Sequence, residues 1–99
     1  MPYLKGDKTI EADGRKRFAE TLNDILAKST QVSTQAAVEE IAGIVGCTDR
    51  EIYRLRAVNG GLRESVLFLM CERLGINPYY ILQDTPPQYL DWREKMSAD

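Results

Sequence analysis

The sequence predicts a compact all-α domain of five helices, and three observations carry that expectation. Apolar residues recur three and four positions apart in five separate segments. Each segment is bounded by residues that start or stop helices, among them Ser33, Thr48, Asn77, Gly46 and Gly75. No run of alternating β-formers occurs. At 99 residues, 43% hydrophobic and 28% charged, the chain suffices for one small core.

Residues 1–13 mix Gly, Asp, Lys and Pro without a period and read as an N-terminal arm. A first helix over about 14–28 places Phe18, Leu22, Ile25 and Leu26 on one face. It stops in the polar run Ser29 to Thr34. A second helix starts near Ser33 or Thr34. It buries Val38, Ile41, Ala42 and Val45, turns Glu39 and Glu40 outward, and ends at Gly46. Thr48 caps a third helix, with Asp49 and Glu51 in its first turn where the helix dipole favours negative charge. Ile52, Leu55 and, at its end, Val58 form its apolar stripe, and Asn59-Gly60-Gly61 closes it. A fourth helix, about 62–74, carries Val66, Leu67, Leu69, Met70 and Leu74, with Gly75 as its stop. Asn77 caps a fifth, with Pro78 in its first turn and Tyr79, Tyr80, Ile81 and Leu82 behind it. The domain therefore runs over 14–84. Residues 85–99 form a tail that is either a short helix carrying Tyr89, Leu90 and Trp92 or a partly ordered extension.

Several functions are excluded by residues the chain lacks. It has no histidine, so no Ser-His-Asp triad, Cys-His pair or His-ligated metal can be built. Cys47 and Cys71 form no C-x-x-C pair and read as free thiols among apolar neighbours. Asn59-Gly60-Gly61 lacks the Lys-Ser/Thr of a phosphate loop. The expectation is a protein that is not an enzyme and uses no cofactor or metal. No apolar run reaches the ~18 residues of a membrane span, and the N-terminus has no apolar signal region. The expected location is the cytoplasm, away from membranes. The net charge of −2 argues against a protein that coats nucleic acid without sequence preference.

The informative stretch is Val38 to Leu55. Two helices joined by a tight turn need a small residue at their contact, a glycine at the turn and apolar residues at set points. Ala42, Gly46 and the set Ile41, Val45, Cys47, Ile52 and Leu55 fill those slots together, which is the helix-turn-helix pattern. With Leu74-Gly75-Ile76-Asn77-Pro78-Tyr79-Tyr80-Ile81-Leu82 added, residues 15–84 resemble the lambda repressor/Cro-like DNA-binding domains. The resemblance implies a five-helix fold whose third helix enters the major groove of double-stranded DNA. It also implies a transcriptional regulator, commonly a dimer. A position that is often Gln in that family is Val38 in this chain.

By that resemblance Thr48, Asp49, Arg50, Tyr53 and Arg54 face the groove. Arg suits a bidentate bond to guanine, and Tyr suits a thymine methyl or a phosphate. Asp49 either accepts from cytosine or serves only as a charge at a helix N-terminus. Asn59 and Arg63 are candidate phosphate contacts. Thr34 and Gln35, with Ser33, could place backbone N–H groups on a phosphate. Arg15-Lys16-Arg17 reads equally as a solvated face or a DNA contact. From Thr48 to Arg63 four basic residues stand against two acidic, and from Glu64 to Asp99 three basic stand against six acidic. One end thus suits phosphate and the acidic C-terminal end suits a protein partner. Tyr79, Tyr80, Tyr89 and Trp92 either finish the core edge or form a homodimer interface. A two-fold dimer would set two recognition helices about 34 Å apart. Two functions follow as expectations: a sequence-specific transcriptional regulator, taken as a repressor, or an adaptor or antitoxin-like interaction protein that keeps the same fold.

Overall fold

A computed structural model describes residues 8–58 and 60–90 of the chain. Among them are five helices: α1 Ala12–Ala27, α2 Thr34–Val45, α3 Asp49–Arg56, α4 Glu64–Leu74 and α5 Pro78–Gln83. No strand occurs among the described residues. Two isolated bridges, Thr9 with Arg63 and Ile76 with Tyr89, tie connecting segments together. The protein is all-α, as the periodicity predicts. No described helix is long and apolar enough to cross a membrane.

Local chemistry sets most of the boundaries. Ser33 Oγ accepts from Ala36 N at 3.1 Å, and Thr48 Oγ1 accepts from Glu51 N at 3.3 Å. Asn77 Oδ1 accepts from Tyr79 N at 3.1 Å, one residue past Pro78. Each bond satisfies a backbone donor that the first turn of a helix leaves open. Gly46 ends α2 with φ 87°, a left-handed conformation that a side chain would strain.

α1 packs against α3 and α5 and touches α2; α2 packs against α3 and α4. Phe18, Leu22, Val38, Ile52, Leu67, Met70, Ile76 and Ile81 fill the shared core. α1 begins two residues earlier than the sequence suggests. The lead-in before it is not a loose arm at this end. Ile10 is buried in the core, its N–H donates to Leu62 O at 2.6 Å, and Glu64 N donates to Lys8 O at 2.8 Å. Gly14 permits this approach: a Cβ there would lie 2.6 Å from Ile10 Cγ2 and 3.2 Å from Ile81 O.

One apolar expectation fails for an identifiable reason. Val58 does not extend the stripe of α3; it is 41% exposed and has φ 58°. The helix stops at Arg56 because the chain must reverse here to bury Leu62. In α4, Leu67 and Met70 are buried but Val66 and Leu69 are exposed, and Phe68 beside them is 44% exposed.

The segment after α5 folds back rather than continuing as helix. The buried side chain of Asn77 donates to Thr85 O at 3.2 Å and Pro87 O at 2.8 Å. Asn77 N donates to Gln88 O, and Leu90 N to Gly75 O. Gln88 Nε2 donates to the buried Thr21 Oγ1 at 2.9 Å. Tyr89 OH donates to Asp24 Oδ2, and Lys28 Nζ lies 5.4 Å from the centre of the Tyr89 ring. Burial, then the Asp24 carboxylate, pushes the Tyr89 hydroxyl well above its usual range. The Tyr89 hydrogen bond, then Lys28, holds the Asp24 carboxyl below its usual range.

Candidate functional site

Of the residues singled out by the sequence, Gln35, Asp49 and Tyr53 come together on one exposed corner, where the N-terminus of α2 meets the outer face of α3. A three-residue turn, Gly46-Cys47-Thr48, joins the two helices. Cys47 N and Gly46 N both donate to Ala42 O, at 3.0 and 2.8 Å, which fixes the turn. Ile52 and Leu55 point into the core, so Asp49, Arg50 and Tyr53 are carried on the other side of α3.

Gln35 links the two helices. Its Nε2 donates to Glu39 Oε1 at 2.9 Å and to Asp49 Oδ2 at 3.1 Å. Its Oε1 accepts from the Tyr53 hydroxyl. Three groups named from sequence, Gln35, Asp49 and Tyr53, are thus one hydrogen-bonded set. Thr34 is exposed at the first position of α2, and Thr48 is occupied as the cap of α3. Arg50 is exposed and has no side-chain partner among the described residues.

Arg54 is engaged differently. Its Nη2 donates to Glu51 Oε2 and its Nη1 to Gly61 O, both at 2.9 Å. The guanidinium braces the reversal between α3 and α4. Gly60 lies beside this guanidinium with φ 77°, a left-handed conformation that a side chain would strain. Arg63 is half-buried at the N-cap of α4 and paired through its backbone with Thr9. Asn59 lies outside the described residues.

Val38 is fully buried in the core, whereas Gln35, one turn earlier, is the α2 side chain that reaches α3. Sequence reading gave Gln35 a backbone role and missed its amide. Arg56, which the sequence gives no role, donates from Nε to Asn23 Oδ1 at 2.8 Å, and Arg17, read from sequence as a solvated face or a DNA contact, donates from Nε to Ile81 O at 2.9 Å. Those partners lie 33 and 64 residues away, and no spacing rule reports them.

Of the aromatic set, Tyr79 is 57% exposed, Tyr80 packs partly buried against the core, and Tyr89 is bonded to Asp24. Trp92 lies outside the described residues. Both cysteines are free thiols. Burial pushes Cys71 up to about 12, and burial with Glu51 and Asp49 nearby raises Cys47, so neither is a ready nucleophile. No group of three or more Cys, Asp or Glu side chains among the described residues is placed to hold a metal. No family model, curated protein or solved structure matches the chain.

Proposed function

We propose that this protein is a sequence-specific regulator of transcription, a repressor of the lambda repressor/Cro-like helix-turn-helix kind. In this reading α3 enters the major groove of double-stranded DNA and the protein acts as a homodimer. The observation that carries it is the outward face of α3. A tight turn with a left-handed glycine sets α3 against α2, and Arg50 projects from it without an internal partner among the described residues. An unpaired guanidinium on an exposed helix is suited to a guanine edge or a phosphate. Thr34, Gln35 and the open backbone donors of α2 lie beside it, as phosphate contacts require.

A mobility-shift titration with random-sequence duplex at two salt concentrations tests this. Affinity should fall with salt, with a slope of about −0.9 per phosphate neutralised. The Arg50→Ala protein should bind more weakly and less salt-dependently. Absence of binding at low salt sinks the reading.

The adaptor reading is favoured by a different observation. Val66, Phe68 and Leu69 on α4, and Tyr79 on α5, are exposed apolar side chains. Such surface suits a protein partner. Sedimentation of the full chain at tens of micromolar separates a homodimer from a monomer that keeps this surface for another protein.

A further inference from the structure

Resting on the DNA-binding reading, we infer that the α3 face reads the exocyclic amino groups of bases, cytosine above all, through hydrogen-bond acceptors that Gln35 prepares. The chemistry follows from which hydrogens are already spent. Gln35 Nε2 faces two carboxylates, Glu39 and Asp49, and carboxylates only accept. The amide orientation is therefore fixed by its partners, and Oε1 must face Tyr53. Because an amide oxygen only accepts, the Tyr53 hydroxyl spends its one hydrogen on Gln35. What Tyr53 then offers to a ligand is oxygen lone pairs.

Asp49 is in the same position. One of its oxygens takes the hydrogen from Gln35, and its other oxygen remains an acceptor. A Tyr with a free hydroxyl hydrogen would donate to a phosphate. This one is held as an acceptor, and so is its carboxylate neighbour. In the major groove the groups that donate are cytosine N4 and adenine N6, and carboxylates pair with cytosine N4. Arg50, one residue past Asp49, supplies the complementary donor for guanine O6 and N7. Acceptors and a donor side by side match a C·G pair read from both bases. Gln35 does not touch the base in this scheme; it is a positioning residue.

The full chain is first used to enrich binders from a random 20-base-pair duplex pool. The enriched duplexes are then remade with N4-methylcytosine or with N6-methyladenine, which keep base pairing but block the major-groove amino hydrogen. N4-methylcytosine should weaken binding about tenfold, in line with one lost base contact, and N6-methyladenine should have little effect. A loss with N6-methyladenine instead assigns the same acceptors to adenine. Indifference to both modifications overturns the acceptor reading while leaving DNA binding intact. Failure to enrich any duplex overturns both. Gln35→Ala, checked for folding by its melting profile, should shrink the methylcytosine penalty more than it lowers overall affinity. Tyr53→Phe should shrink it too. A full penalty in both variants overturns the role of Gln35.

Discussion

α3 and α4 are consecutive helices on the same core, yet their outer faces are opposites. The outer face of α3 carries Asp49, Arg50, Glu51, Tyr53 and Arg54, whose polar groups are largely engaged with one another, with Gln35 or with the turn that follows. The outer face of α4 carries Val66, Phe68 and Leu69, each about two-fifths exposed. The first face suits a charged, hydrogen-bonding ligand, and the second suits an apolar one. The difference teaches that the sign of the whole chain is a poor guide to either surface. A net charge of −2 coexists with a helix that presents Arg50, unpaired among the described residues.

Removing what both faces share should have the largest effect. Ile52 is fully buried beneath α3, so Ile52→Ala should cost about 2–5 kcal/mol of stability, read from the urea midpoint. The next substitutions separate the faces. Arg50→Ala should weaken DNA binding by about 1–3 kcal/mol while leaving stability within ~0.5 kcal/mol. Phe68→Ser with Leu69→Ser should leave both random-duplex binding and stability nearly unchanged, since both side chains are about two-fifths exposed. If the α4 pair, and not Arg50, lowers the salt-dependent shift of random duplex under monomeric conditions, the assignment of the two faces is wrong.

The smallest expected effect lies on neither face and serves as their control. Tyr89→Phe removes the hydrogen bond to Asp24. A carboxyl whose folded value is lowered contributes stability above its ordinary value of 3.8, and loses it as pH falls through the folded value. The stability gap between the protein and Tyr89→Phe should therefore be widest near neutral pH and narrow in acid below 3.8. Unfolding curves across that range read it directly. A gap that widens in acid contradicts the assigned bond.

Much of the fold is legible in the sequence because its signals are local. Ser33, Thr48 and Asn77 cap helices through atoms two or three residues away, and Gly46 and Gly75 stop them by their own backbone angles. What escapes is decided by distant parts of the chain. Val58 leaves the stripe of α3 because Leu62 must reach the core, and Ile10 joins that core because Gly14 leaves room for it. At the candidate site, the residue types were legible but their engagements were not. Arg54 and Arg50 look alike in sequence, and only the fold commits one to Gly61 and leaves the other open. Gln35 and Tyr53 stand 18 positions apart, beyond any helical periodicity.

The folded-back segment after α5 has a consequence for where this chain can be cut. Composition invites a boundary before Thr85-Pro86-Pro87. A protein ended at Gln83 would take from the Asn77 amide nitrogen both of its acceptors, Thr85 O and Pro87 O, and from Thr21 the hydrogen bond of Gln88, leaving Thr21 only its bond to Arg17 O. A fusion or truncation made at the prolines would therefore remove part of the scaffold along with the tail.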